Sequence, residues 1–137
     1  MRKISQACII DDDKIFTFGL KKLMGLTNFC DDILTFGNGK EAITYLQSIL
    51  ASPESLPDLI LLDLNMPIMD GWQFLEEFSR SHPAKKIALY VVSSSIDPVE
   101  HRRAASYEVV SNFFVKPLMR EDLEKIAEDF GALVQGV

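Results

Sequence analysis

The chain has 137 residues, 47% hydrophobic and 25% charged, with 20 acidic against 14 basic residues and a formal charge of −6. That length suits a single domain, expected over residues 1–137 with no separate output domain, and its composition excludes collagen-like and low-complexity chains. A net-negative chain without a basic stretch argues against nucleic-acid binding, and no apolar run is long enough to span a membrane. The two cysteines, Cys8 and Cys30, have no metal-ligand spacing, and no secretory signal precedes them. A soluble cytoplasmic protein without membrane insertion is therefore expected.

Apolar runs alternate with amphipathic stretches along the chain. Ala7-Cys8-Ile9-Ile10 is apolar throughout, as in a strand covered on both faces of a parallel sheet. Phe16, Leu20, Leu23 and Met24 then share one helical face. A weaker second strand is expected from Asp31 to Phe36. It is followed by a helix carrying Ala42, Ile43, Leu46, Ile49 and Leu50 and ended by Ser52-Pro53.

Leu59-Ile60-Leu61-Leu62 makes a third strand, followed by a loop and a short helix anchored by Leu75 and Phe78. Ile87 to Val92 is the fourth strand, and its helix begins near Pro98, a residue suited to the first helical turn. Asn112 to Val115 is the fifth. The last helix carries Leu123, Ile126, Ala127, Phe130 and Val134.

Five βα units with short connections predict an α/β fold: a five-stranded parallel sheet in a doubly wound, flavodoxin-like sandwich. Ligands of such sheets bind at the carboxyl ends of the strands. Four strand ends carry chemistry: Asp11-Asp12-Asp13 after the first, Asp63 after the third, Ser93-Ser94-Ser95 after the fourth and Lys116-Pro117 after the fifth. Clustered carboxylates repel unless a cation neutralises them, and oxygen ligands in a hydrated site suit Mg²⁺. With a lysine and a hydroxyl added, the set is equipped for phosphoryl transfer, with a carboxylate as nucleophile.

Asp11-Asp12, the run Asp63-Leu64-Asn65-Met66-Pro67-Ile68-Met69-Asp70-Gly71, Ser93 and Lys116-Pro117 together resemble the response-regulator receiver family of two-component signalling. The resemblance covers essentially the whole chain. It implies that Asp63 is the phosphoacceptor, taking its phosphoryl group from a sensor histidine kinase or a histidine phosphotransfer protein. It implies Mg²⁺ bound by Asp12, Asp63 and the backbone carbonyl of Asn65, with Asp11 assisting partly through water. Lys116 would contact the phosphoryl group, and its bond to Pro117 would be cis. Ser93 would move toward the phosphoryl group while Phe113 turns inward, reshaping the face formed by the fourth helix, fifth strand and fifth helix for an unidentified protein target. A monomer or weak dimer is implied, catalysing only its own phosphorylation and dephosphorylation.

Two positions depart from the commonest family pattern. Ser93 stands where threonine is frequent, and Phe113 where tyrosine is common, which removes a phenol. Asn65 and Ser95, at positions that tune phosphoryl lifetime in the family, are both polar and uncharged.

Plainer roles compete at several positions. Asp13, nearest the helix start, is read as a cap. Pro67 and Gly71 are read as turn geometry, Trp72 and Met69 as packing residues, and His82 and His101 as surface residues. Ser93 is preferred over Ser94 and Ser95 because it directly follows the strand, and core packing competes for Phe113. Gly37-Asn38-Gly39-Lys40-Glu41-Ala42 matches a dinucleotide fingerprint but follows the second strand, so it is read as a tight βα turn.

Two other functions compete with the phosphorylation switch. One is a degenerate receiver acting as a phosphorylation-independent binding module. The other is an aspartyl-phosphate hydrolase of the haloacid-dehalogenase type, in which Asn65 would occupy the general-acid position that it cannot serve.

Overall fold

A computed structural model describes residues 4–135 of the protein, with side chains described as far as Leu133. The elements run β1 (Ile4–Ile10), α1 (Lys14–Leu26), β2 (Cys30–Phe36), α2 (Gly39–Ser48), β3 (Leu59–Leu62), α3 (Gly71–Ser79), β4 (Ala88–Ser93), α4 (Pro98–Ala105), β5 (Val110–Val115) and α5 (Arg120–Gln135). The five strands are parallel, in the order β2-β1-β3-β4-β5. This is the flavodoxin-like α/β order, in which the chain reverses direction across the sheet between β1 and β3.

Side-chain alternation explains why the central strands read as unbroken apolar runs. Ala7 and Ile9 of β1, with Leu59 and Leu61 of β3, face a core built with Leu20 and Met24 of α1 and Leu123, Ile126 and Phe130 of α5. Cys8, Ile10, Ile60 and Leu62 face the opposite core, closed by residues of α2 and α3 and by Ala104 of α4. Burial pushes the Cys8 thiol up to about 12, so it packs as a small apolar side chain. Tyr90 of β4, fully buried, spends its hydroxyl on the Asp129 carboxylate of α5.

Strand boundaries extend beyond the apolar runs where a neighbour supplies a ladder. β1 starts at Ile4 because Ile4 and Gln6 pair with Cys30 and Asp32, and β5 starts at Val110 across an irregularity at Leu89–Tyr90. The second helix ends at Ser48, earlier than the Ser52-Pro53 stop expected from sequence. Ile49 N–H donates to Leu46 O (3.1 Å) in a tight turn, and the Leu50 carbonyl accepts from Ala84 N–H (2.7 Å), which draws the chain off the helical path. Val134 falls within α5, but its side chain lies outside the described residues, as do residues 1–3 and 136–137.

At the sheet edge away from the strand carboxyl ends, Asp58 holds the entry to β3. Its carboxylate accepts from Ser5 N–H (2.6 Å) and from the Lys85 ammonium (2.9 Å). Replacing Asp58 by alanine strips both donors of their partner, so the variant should lose about 1–3 kcal/mol. Urea unfolding of Asp58→Ala against the parent checks this.

Candidate functional site

Asp11, Asp63 and Lys116 each sit one step beyond a strand and are fixed by one more rung of the ladder. Asp11 N–H donates to Phe36 O (3.0 Å), Asp63 N–H to Ile10 O (2.9 Å) and Lys116 N–H to Ser93 O (2.9 Å). Helix starts crowd the same edge, where free N–H groups need acceptors. Asp13 caps α1, as read from its position; Asn38 caps α2, Asp70 caps α3 in a capping box with Gln73, and Asp97 caps α4 ahead of Pro98. The acidic residues of this edge therefore divide into caps and a separate carboxylate group.

That group is Asp11, Asp12 and Asp63, each offering a carboxylate oxygen within 4.8 Å of the others. Among the described residues, this is the cluster with the composition of a metal site. Asp11 and Asp63 are buried, and Asp12 is exposed. The Lys116 ammonium lies 2.8 Å from Asp11 Oδ2 and 3.7 Å from Asp63 Oδ2, and 4.4 Å from the centre of the Phe16 ring. The remaining oxygens are partly engaged: Asp11 Oδ1 accepts from Asp13 N–H and Asp63 Oδ1 from Leu64 N–H, both at 2.9 Å. The Lys116–Pro117 bond is cis, as the resemblance implied.

Burial, and secondarily the Asp11 charge, push Asp63 up to about 6 against the pull of Lys116 and of N–H groups. Burial likewise raises Asp11, opposed by its bond to Lys116. Three carboxylates against one ammonium leave net negative charge in a partly enclosed place. An oxygen-only donor set of that kind fits a hard divalent cation, so Asp11, Asp12 and Asp63 could hold one.

The loop between β3 and α3 is shaped by close backbone contacts. Gly71, expected to serve turn geometry, is needed for another reason. A Cβ there would lie 2.3 Å from the Asp63 carbonyl oxygen, where the first turn of α3 presses on the Asp63 backbone. Gly39 of the fingerprint-like stretch is also a packing glycine. Its N–H donates to Met69 O (3.0 Å), and an added Cβ would sit 2.9 Å from that oxygen. The tight-turn reading of that stretch stands, with Asn38 as its cap. Between these contacts Ile68 is exposed with φ 69°, a left-handed conformation costly for a β-branched residue, closed by Met69 N–H to Pro67 O at 2.8 Å.

Ser93 ends β4 and is fully buried, its Oγ accepting from Ser95 N–H (3.1 Å). Ser94 is exposed. Phe113 is half-buried against the α2–α3–α4 core, and Asn65 is exposed in the loop between β3 and α3. Trp72 packs against the same core and also carries the Arg103 guanidinium 4.0 Å over its ring.

His82 is exposed, as read, but the surface reading of His101 is corrected. Its ring is half-buried and stacks on Phe113 with centroids 3.7 Å apart, and Nε2 lies 2.9 Å from Ser95 O. Sequence reasoning missed this residue, and it missed Phe16 as a neighbour of Lys116. Both contacts join separate elements, so no local spacing announces them.

A family model described as "Response regulator receiver domain" matches residues 7–128. The chain belongs to that family. Receivers are not classical enzymes, and they interact with histidine kinases.

This receiver is 30% identical over 121 residues to the probable methanogenesis regulatory protein FilR2 of Methanothrix harundinacea, a match covering 88% of this chain and 77% of that one. It spans about half the length of several other curated relatives that it matches. A two-component response regulator from Cytophaga hutchinsonii superposes with a TM-score of 0.85 at 28% identity, covering 94% of this chain and 98% of that one. The phosphorylated cyanobacterial phytochrome response regulator RcpA does so at 0.74 and 26%, covering 92% and 90%.

Two measurements check the geometry of this receiver's site. A methyl at Gly71 must displace α3 from the Asp63 backbone, so Gly71→Ala should lose about 1–3 kcal/mol in chemical denaturation and more than Gly39→Ala loses. The second concerns pH. A carboxyl raised in the folded state favours folding below its unfolded value, and that stability is lost as pH rises through about 6. With divalent cations chelated, Asp63→Asn should be the more stable protein at pH 7.5, by on the order of 2 kcal/mol. The advantage should close as pH falls toward the ordinary carboxylate range. Thermal melts across that window decide it, and a pH-independent gap would refute the account.

Proposed function

We propose that Asp63 is the phosphoacceptor of a signalling switch, phosphorylated in a Mg²⁺-dependent reaction by a sensor histidine kinase or histidine phosphotransfer protein. The observation that carries this reading is the Lys116 ammonium held between Asp11 and Asp63 within a three-carboxylate cluster. Phosphoryl transfer asks little of a protein beyond positioning and charge neutralisation, and this arrangement offers both.

An Asp63 carboxylate oxygen attacks phosphorus, the phosphorus–nitrogen bond of the donor phosphohistidine breaks, and the freed imidazole nitrogen takes up a proton. An acyl phosphate results, and attack by water returns the carboxylate and inorganic phosphate. Lys116 shifts from the bare carboxylates to a phosphoryl oxygen. Asp11, Asp12, Asp63 and the Asn65 backbone carbonyl would hold Mg²⁺, which neutralises charge building on the phosphoryl oxygens. Ser93 donates its hydroxyl to another phosphoryl oxygen, a turn that pulls on its bond from Ser95 N–H. Phe113 follows inward, and the face of α4, β5 and α5 changes for a protein listener.

Output through protein contact fits the net charge, which argues against nucleic acid as the partner. Among the described residues no helix is long and apolar enough to cross a membrane, and we read the receiver as cytoplasmic, a monomer or weak dimer.

Incubation of the chain with acetyl phosphate and Mg²⁺ should add one phosphoryl group by intact mass, at Asp63 by peptide mapping. Asp63→Asn should take up none, chelation of Mg²⁺ should abolish uptake, and Lys116→Ala should slow it at least tenfold. Undiminished uptake in Asp63→Asn would overturn the assignment. Intact signalling in that variant would favour the phosphorylation-independent binding module.

A further inference from the structure

The β4–α4 connection contains a relay of contacts that the acceptor chemistry does not use. Ser95 N–H donates to Ser93 Oγ (3.1 Å), which occupies the hydroxyl proposed to turn toward the phosphoryl group. The carbonyl of the same residue lies 2.9 Å from His101 Nε2, and the His101 ring stacks on Phe113 at 3.7 Å with the planes 23° apart. Ser95 Oγ accepts from Asp97 N–H (3.2 Å), and Asp97 caps α4, in whose first turn His101 stands. One imidazole therefore touches both moving parts of the switch: the loop that holds Ser93 and the aromatic ring of β5.

We propose that His101 is a positioning residue, a clamp that ties the Ser93–Ser95 loop to the Phe113 ring and holds the receiver in its unphosphorylated arrangement. The inference rests on the Asp63 reading above and adds a determinant of how readily that site fires. Ser93 Oγ is anchored by Ser95 N–H, so a turn of Ser93 toward a phosphoryl oxygen pulls on that bond. The pull shifts Ser95, which in turn strains the bond to His101 and the stack on Phe113. The clamp stabilises the resting arrangement alone, so it sets the resting population and slows phosphorylation without touching the reacting atoms.

The rest of α4 allows such a clamp to matter. Its only buried residue is Ala104, and its exposed Arg103 lies over the half-buried Trp72 ring of α3. Trp72 is the chain's one tryptophan, so its emission reads that seam directly.

The test uses the full chain, with acetyl phosphate and Mg²⁺ as the probe. His101→Phe keeps a stacking ring and loses the bond to Ser95, whereas His101→Gln keeps a donor and loses the ring. Each should raise the initial phosphorylation rate about two- to tenfold, and His101→Ala should raise it at least as much. Trp72 emission of the unphosphorylated variants should move part of the way to that of the phosphorylated parent. Mere damage to the fold would lower the rate, so the sign of the change separates a clamp from a packing residue. Should His101→Ala fail to fold, the Phe and Gln variants still decide the question. Uptake at Asp63 with rates at or below the parent's in every folded variant overturns the clamp and leaves the acceptor reading intact. No uptake by the parent chain overturns the acceptor reading, and the clamp with it.

Discussion

Two carboxylates, Asp11 and Asp63, are buried side by side at the carboxyl edge of a parallel sheet, and much of the structure around them answers that placement. Like charges about 4 Å apart repel by roughly 4 kcal/mol even at the effective dielectric of a protein surface, and burial adds the cost of lost hydration. Lys116 offsets part of this, being close to Asp11 and within reach of Asp63, and the Phe16 ring lies beside its ammonium. What remains is an excess of negative charge, visible as the upward displacement of both carboxyl groups. A divalent cation would relieve that excess. On the proposed function a phosphoryl group would bring more negative charge, so the same edge would have to be neutralised before Asp63 could form an acyl phosphate.

The parallel sheet makes such a cluster affordable. Each functional backbone is held by one rung beyond the regular strands, and the helix starts at this edge bring N–H groups that caps and loops satisfy. Gly71 leaves no room for a Cβ beside the Asp63 carbonyl, which couples the start of α3 to Asp63. The exposed, left-handed Ile68 lies in the same loop. Rigidity of this order favours pre-positioned electrostatics, because groups already in place need not reorganise when charge develops.

Legibility in the sequence followed the range of the interactions. The strands β1, β3 and β4 declared themselves because doubly covered strands are apolar at every position, and their polar ends followed directly. The parallel βα rhythm placed Asp11, Asp12, Asp63 and Lys116 at one edge of the sheet, and the family resemblance, not strand order, joined them into one site. The end of α2 was not legible: a helix-compatible pattern continues through Leu50, and a distant donor, Ala84 N–H, draws the chain away. Gly71 was recognised as special for the wrong reason, since its φ is not in the left-handed region and the constraint is the Asp63 carbonyl oxygen, which a Cβ would meet at 2.3 Å. His101 was invisible because its partners lie on a loop and on another strand, and a lone histidine among polar residues carries no signature of a stack.

The same distribution of forces explains how a local charge event can travel. The sheet is buried between two cores, whereas α4 is attached by one buried alanine, an aromatic stack, a cation–π pair and the Tyr107–Glu76 hydrogen bond just beyond its end. A half-exposed cation–π pair or hydrogen bond of these kinds is worth about 1 kcal/mol. Moving an equilibrium from nearly all resting to nearly all active takes roughly 5.5 kcal/mol of differential stabilisation. New charge-assisted bonds from Lys116 and Ser93 to a phosphoryl group, each worth about 1.5–3 kcal/mol, are of the right size. The receiver would thus be stiff where charge must be positioned and weakly tethered where a listener must notice.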